Sequence, residues 1–444
     1  MSTHVGLTVQ TGVAMVRDVM TQSFRVVGGN PIAGTVRPAG NKNAALPIIA
    51  ASLMADGISI IRNVPRIRDV ESLIALAADL GASCRWLGER DLQVDARGLR
   101  VRQLNPKLCA AIRASILLAG PLLARFGEVI LPPPGGDVIG RRRLDTHFLA
   151  LEALGATVET GQDYTLRARR LVGARIFLDE PSVTATENAM MAASLSKGTT
   201  VIRNAASEPH VQDLAHALCL MGARIEGIGT NVITVDGVSS LEGAELTVGP
   251  DHIEIGSFIG LAAVTGGTLQ IEGVEPEHLH SILFHFRRLG IQTTLEGNRL
   301  LVDSNQERRV KPDFGGHIPK IEDGPWPAFP ADLMSIMVVV ATQCDGEVLL
   351  FEKMFESRLY FVDLLIGLGA RIVLCDPHRA LVSGRTKLHG GTVQSPDIRA
   401  GMAVLLATLA ASGESVIHNV PQIDRGYERI DERLRTLGAV ITRE

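Results

Sequence analysis

The sequence predicts an α/β protein of two pseudo-symmetric globules, each built from three repeated units of about 70 residues. Three observations lead there. The chain of 444 residues exceeds one ordinary domain. A composite pattern recurs six times along it. In each copy the leading helix is apolar nearly all round, so it has to be buried against its neighbours.

The recurring pattern is a small-residue helix, a glycine, a short β-branched strand, a polar loop, a second helix, then Leu-Gly-Ala or a close variant. The first glycines are Gly57, Gly127, Gly198, Gly267, Gly346 and Gly413, at intervals of 70, 71, 69, 79 and 67 residues. The second glycines, Gly81, Gly155, Gly222, Gly290, Gly369 and Gly438, follow their partners by 23 to 28 residues. Both sets stand where a helical period ends and a left-handed cap favours glycine. Each unit therefore reads as an αβαβ element that cannot bury its own apolar faces.

Taken in order, residues 1–41 precede the first unit and hold two strand-like stretches, FRVV and GTVRP, that could join either globule. Unit one runs from NAALPIIAASLM to ESLIALAADLGA, unit two from SILLAGPLLARFG to HFLALEALGA, and unit three from ENAMMAASLSKG to AHALCLMGA. Unit four opens with LAAVTGG, unit five with LMSIMVVVATQ and unit six with LLATLAASG. The second helices carry more charge, as in RIDERLRTLG, and belong outside. The break between globules falls near Gly249–Pro250.

Composition narrows function. Hydrophobic residues are 46% and charged residues 21%, as in a globular chain. With 44 Lys+Arg against 48 Asp+Glu the net charge is −4, which disfavours a nucleic-acid or anionic-membrane partner. Aromatic residues at 4% leave few stacking platforms for bases. Cys84, Cys109, Cys219, Cys344 and Cys375 form no CxxC pair and mostly sit beside apolar residues, so reduced, buried thiols are expected. No secretory leader or membrane span is evident, and a cytoplasmic protein is expected. No HExxH spacing among His147, His210, His252 and the rest, and no P-loop or dinucleotide fingerprint, points to a metal or nicotinamide enzyme, so no cofactor is expected.

Polar residues gather at the start of each buried front helix: Lys42, Arg113, Thr184 with Glu187, Asp251 with Glu254, Asp332, and Asp397 with Arg399. Helix N-termini facing one opening would direct partial positive charge into it, which suits a phosphate-bearing substrate. Asp251, Asp332 and Asp397 also read as plain N-caps. A lysine at a helix start opposes the dipole, which favours an anion-binding role for Lys42. Arg113 needs an acidic or phosphate partner, and a structural salt bridge competes with a substrate role. The loop PPPGGDVIGRRRLDTH, with Asp137 ahead of Arg141, Arg142 and Arg143, is a candidate mobile lid or a solvated turn. Arg425 in QIDRGYERI either reaches an anion or pairs with Asp424 or Glu428.

The runs AGNKNAALPIIAASLMADG, IRASILLAGPLLAR, PGGDVIGRRRLDTH, PAFPADL, SPDIRAG and IDRGYERI resemble the UDP-N-acetylglucosamine 1-carboxyvinyltransferase family of enolpyruvyl transferases, in one register from about residue 24 to the C-terminus. The shikimate-pathway relatives are less similar, because their lysine stands in a DKS context rather than Lys42-Asn43. The resemblance implies two inside-out α/β barrels, residues 42–249 in one and 1–41 with 250–444 in the other, with a mobile loop near 132–147 and the substrates in the cleft between. It implies transfer of the enolpyruvyl group of phosphoenolpyruvate to the 3-hydroxyl of UDP-N-acetylglucosamine, releasing phosphate. That is the first committed step of peptidoglycan synthesis, on which the cell wall, cell shape and division depend. The alternatives are another acceptor, such as a nucleoside monophosphate, or a non-catalytic nucleotide-sugar-binding paralogue.

By the same resemblance Lys42, Arg142 and Arg425 grip phosphoenolpyruvate, Arg113 is a further cleft arginine, and Asn43 contacts the amino sugar. Asp332 takes the acceptor's proton, Ser182, Val183 and Thr184 hold the diphosphate, and Asp397 with Arg399 form a cleft pair. Asp137 stands where many members have the cysteine that the epoxide fosfomycin alkylates, so weak inhibition by that drug is expected. The acceptor end departs from the family pattern: Thr184 replaces glycine, Arg143 proline, Arg141 a small residue and Asn41 alanine. The sequence does not set the oligomeric state.

Overall fold

A computed structural model describes residues 22–100, 103–137, 139–140 and 142–444. Two separate hydrophobic cores divide it. One is drawn from Ala44 through Val248; the other combines Phe24–Val36 with Ile253 through Ile441. No described helix is long and apolar enough to cross a membrane.

The leading helices make the centres of both cores. In the second half His252–Thr265, Met334–Thr342 and Ile398–Ala410 pack on one another, and every residue of Met334–Thr342 is buried. Two glycines permit the close approach: a Cβ on Gly256 would lie 2.5 Å from Leu333 Cδ1, and one on Gly260 2.7 Å from Ile336 Cγ2. In the first half Lys42–Ser52, the 3-10 turn Arg113–Leu118 with Ala119–Phe126, and Val183–Ser194 play the same part.

Among the described residues six sheets of three or four strands surround these helices, three to each half, with one further two-stranded pairing. The strand after each leading helix alternates in burial, as in Thr199–Arg203, where Thr200 and Ile202 point inward. In all but the last unit it pairs antiparallel with the far strand of a hairpin. Thr199 faces Asp236, for example, and Ile58 faces Asp95. That hairpin corrects the αβαβ expectation: two strands follow the second helix in five of the units, as in Ser83–Trp86 and Leu92–Asp95, turning at polar stretches such as LGERD, whereas in the sixth Val440–Arg443 alone follows and Ser23–Gly28 supplies the other strand. A parallel strand completes most sheets at the edge.

The second glycines adopt positive φ as expected. In unit four the left-handed cap is Gly266 (φ 70°) rather than the expected Gly267, whose place is against the Ile32 backbone. The early strands resolve the open assignment. Ser23–Gly28 lies between Gly413–His418 and Val440–Arg443, and Gly34–Val36 runs beside Leu269–Glu272, both in the second half. The chain then crosses to the first half and returns beside itself. Asn41 N–H donates to the Gly249 carbonyl at 2.8 Å and Asp251 N–H to that of Ala39 at 3.0 Å. The expected thiols are unpaired, with Cys109 and Cys344 buried but Cys375 exposed on an edge strand.

Candidate active site

Because the leading helices of both halves run toward one opening, their N-termini line a single cavity of about 780 Å³ between the halves. Lys42 and Asn43 open Lys42–Ser52, whose cap is Asn41: its side chain accepts from the N–H groups of Asn43 and Ala44. Arg113 opens its 3-10 turn. Ser182 caps Val183–Ser194, placing Val183 and Thr184 in the first turn. Asp397 caps Ile398–Ala410 through the N–H groups of Arg399 and Ala400. Lys42, Asn43, Arg113, the run Ser182–Thr184, Asp397 and Arg399, with Asp137, Arg142, Asp332 and Arg425, line the cavity. The expected site residues are thus brought together, and Arg141 lies outside the described residues.

The ion pairs differ from several expectations. Lys42 is not an unbalanced cation: its Nζ lies 2.6 Å from Asp69 Oδ2. Arg425 pairs with neither Asp424 nor Glu428. Its Nε lies 3.0 Å from Asp69 Oδ1 and its Nη1 pairs with Asp137, whereas Asp424 holds Arg443 and Glu428 holds Arg90. Burial works to raise the Asp69 carboxyl, but Lys42 and Arg425 outweigh it and hold it below the usual carboxylate range.

Asp332 does not cap a helix. It lies inside the 3-10 turn Ala331–Leu333, and its oxygens accept from Arg399 Nε at 2.9 Å and Arg358 Nη2 at 3.1 Å. Burial opposes ionisation there, yet the two guanidinium charges prevail and keep the carboxylate ionised. Asp251 does cap, and burial pushes its carboxyl up to about 6. Glu254 is structural too, held by Arg433 and the Ala39 N–H.

The salt bridge expected as one option for Arg113 is not seen: its Nη2 donates to the backbone carbonyls of Arg142 at 2.7 Å and Arg143 at 3.1 Å. Burial, with Arg142 alongside, lowers Arg113 to about 10. Burial also lowers Arg142, partly offset by Asp137 and Asp332. Among the described residues no carboxylate lies within salt-bridge range of either. Partial burial and the Arg142 charge both disfavour the charged form of Arg113, and an anion beside it would favour that form.

The lid candidate spans the opening. Asp137 reaches Arg425 of the other half, and the Ile139 carbonyl accepts from Ser357 N–H at 3.3 Å. Gly136, at φ 113°, packs so closely that a Cβ would lie 2.8 Å from Arg113 Cβ. At the acceptor end Arg143 and Thr146 both bind Asp179, each at 2.6 Å. Asn188 Nδ2 donates to His147 Nδ1 at 2.9 Å, which leaves Nε2–H to donate to Thr184 Oγ1 at 3.0 Å. The Thr184 hydroxyl hydrogen is then free to point at a ligand.

Sequence reasoning missed Asp69, Arg358, Asp179 and Glu208. Asp69 and Arg358 sit in ordinary helical and loop contexts, RIRDVES and FESRLY, and nothing in their spacing marks them. Only burial of charge reveals them.

The family model for EPSP synthase (3-phosphoshikimate 1-carboxyvinyltransferase) matches residues 26–434. The UDP-N-acetylglucosamine 1-carboxyvinyltransferase of Bradyrhizobium diazoefficiens is 60% identical over 420 residues, covering 95% of this chain and 97% of the relative. That of Treponema pallidum is 54% identical, covering 95% and 99%. Among solved structures the enolpyruvyl transferase NikO from Streptomyces tendae is similar with a TM-score of 0.85 at 24% identity, covering 95% of this chain and 99% of that one. EPSP synthase from Acinetobacter baumannii superposes with a TM-score of 0.73 at 17% identity, covering 96% and 100%; at these identities both speak to fold alone. With its mixed α/β architecture and near full-length identity to these relatives, the chain belongs to the EPSP synthase family, within its UDP-N-acetylglucosamine 1-carboxyvinyltransferases.

Proposed function

We propose that this protein transfers the enolpyruvyl group of phosphoenolpyruvate to the 3-hydroxyl of UDP-N-acetylglucosamine and releases phosphate, the first committed step of peptidoglycan synthesis. The observation that carries the reading is the pair of part-buried, carboxylate-free arginines, Arg113 and Arg142, beside Lys42 and Arg425 in one cleft. A substrate bearing phosphate and carboxylate would displace Asp69 and Asp137 from Lys42 and Arg425 and satisfy all four cations.

In this reading the acceptor oxygen adds to C2 of phosphoenolpyruvate while C3 gains a proton. The tetrahedral adduct then loses a C3 proton and phosphate, restoring the double bond. Asp332 receives the hydroxyl proton. Because Arg399 and Arg358 make it a weak base, transfer to it follows bond formation rather than preceding it. Asp137, on the lid, serves the proton traffic at C3. Asn43 contacts the sugar, Ser182, Val183 and Thr184 hold the diphosphate, and Asp397 with Arg399 fix the floor around Asp332.

The architecture belongs to the same reading: two inside-out barrels of three units each, divided as 42–249 and 1–41 with 250–444, working in the cytoplasm. The two cores, and the paired crossings at Asn41–Gly249 and Ala39–Asp251, support the division.

The test is purified protein with phosphoenolpyruvate and a panel of uridine nucleotides, reading phosphate release and product mass. Release with UDP-N-acetylglucosamine and a product one enolpyruvyl group heavier supports the reading. Release only with another acceptor, or none with any, overturns it.

A further inference from the structure

Behind Asp332 lies a second buried acidic pair that the mechanism above does not use. Glu352 follows the strand Gly346–Phe351 and is fully buried; Asp323 follows Lys320–Glu322 and is 1% exposed. Half of each carboxyl is accounted for. Glu352 Oε1 accepts from the N–H groups of Met354 and Phe355, both at 3.0 Å, and Asp323 Oδ1 accepts from Lys353 N–H at 2.5 Å. The remaining oxygens, Glu352 Oε2 and Asp323 Oδ2, are buried with no hydrogen-bond partner, and Asp323 is among the neighbours that push the Glu352 carboxyl up. A hydrogen between them satisfies both orphans at once; without it two like charges would share a dry site.

The pair touches the reaction centre through one side chain. Arg358, 3% exposed, has its Nε 3.6 Å from Glu352 Oε2 and its Nη2 3.1 Å from Asp332 Oδ1. The two N–H bonds to Glu352 also shape the turn carrying Met354, Phe355 and Glu356, all of which line the cavity, and Phe355 carries the Arg358 guanidinium over its ring. We propose that Asp323 and Glu352 hold one hydrogen between their unpartnered oxygens and act as positioning residues that set Arg358, and through it Asp332, for the acceptor. This rests on the reading of Asp332 as the group that takes the hydroxyl proton.

The surroundings agree. Burial, then the neighbouring Asp323, pushes Glu352 up to about 9. Other charged groups near the pair are spoken for. His378 gives its ring Nδ1 to the Glu352 carbonyl at 2.7 Å, the Lys320 and Lys353 ammoniums turn to Glu322, and Arg399 lies beyond Asp332. With one proton present, Arg358 remains on Asp332. When it is lost, a doubly charged pair competes for Arg358 and draws it away.

Three readouts test this. Glu352→Gln presents an amide N–H to Asp323 and an oxygen to the turn, reproducing the protonated state, and should keep kcat within about 3-fold at neutral pH. Glu352→Ala should lower kcat by roughly 10- to 100-fold with the KM for phosphoenolpyruvate little changed, because a displaced catalytic group costs turnover rather than binding. The wild-type rate should fall as pH passes about 9, a limb that Glu352→Gln lacks. Infrared difference spectroscopy of the unliganded protein should show a buried protonated carboxyl band that disappears through the same pH range and is absent from Glu352→Gln. The infrared arm stands even if Glu352→Ala fails to fold or if the wild type transfers nothing, an outcome that would remove the functional reading instead. Absence of that band, an alkaline limb shared by wild type and Glu352→Gln, or a Glu352→Gln as slow as Glu352→Ala would overturn the proposal.

Discussion

Arg425 and Asp137 form an ion pair across the opening between the two cores, one from the 3-10 turn Val420–Arg425 and the other from the loop after Glu128–Leu131. Each of the two charges is thus balanced by its opposite from the other half. In the proposed reaction phosphoenolpyruvate has to take the place of the Asp137 carboxylate at Arg425.

That relationship bears on inhibition. A carboxylate paired with a guanidinium is a poor nucleophile toward an epoxide, so fosfomycin should leave the wild type active at micromolar concentration. Asp137→Cys should become inactivated with time and gain one drug mass. Time-dependent inactivation of the wild type with covalent mass gain would refute this.

Asp332→Ala removes the carboxylate proposed to accept the hydroxyl proton but leaves Arg113, Arg142 and Arg425 in place. Turnover should drop by roughly 100-fold or more while phosphoenolpyruvate binding, followed by calorimetry, stays close to wild type. Full activity in this variant would remove Asp332 from the mechanism.

Arg142 has no carboxylate partner among the described residues, and the proposed reaction assigns it to phosphoenolpyruvate. Arg142→Ala should lower kcat/KM for phosphoenolpyruvate on the order of 100-fold, and Arg142→Lys should recover little, since a point charge lacks the guanidinium fork. An unchanged kcat/KM in either variant would place the phosphate elsewhere.

Acid stability follows from buried imidazoles. Burial, with Arg113 nearby, lowers His147 from 6.5 to about 3, and burial lowers His210 to about 4. Below 6.5 the unfolded chain takes up protons that the folded one refuses, so stability is full above 6.5 and falls as pH drops toward 3. His147→Asn should make that fall shallower by about 1.4 kcal/mol per pH unit within the window. Denaturant unfolding at several pH values measures it, and an unchanged slope contradicts the assignment.

Much of the architecture was legible because it rests on repetition. Glycines at fixed spacing and helices apolar on every side dictate buried centres, and Met334–Thr342 is the plainest case. The polar residues opening those helices were equally legible, since helix N-termini and isolated charges in apolar runs stand out: Lys42, Arg113, Thr184, Asp397 and Arg399 all line one cavity. Pairings were not. Which carboxylate meets Lys42, or that Asp332 answers Arg399 and Arg358 instead of capping its helix, depends on contacts between segments tens to hundreds of residues apart. Asp323 and Glu352 were invisible for the same reason. The hairpin after each second helix was missed because its strands are short and half exposed, as in Ser83–Trp86, and give little alternation to read.

The most direct measurement is a crystal structure with phosphoenolpyruvate and UDP-N-acetylglucosamine bound to Asp137→Asn, a variant chosen to slow turnover. The account places the phosphate within hydrogen-bond distance of Lys42, Arg142 and Arg425 and the sugar 3-hydroxyl at Asp332, with Arg425 released from residue 137. Ligands seated outside the cleft, with Lys42 and Arg425 still bound to Asp69, would contradict it.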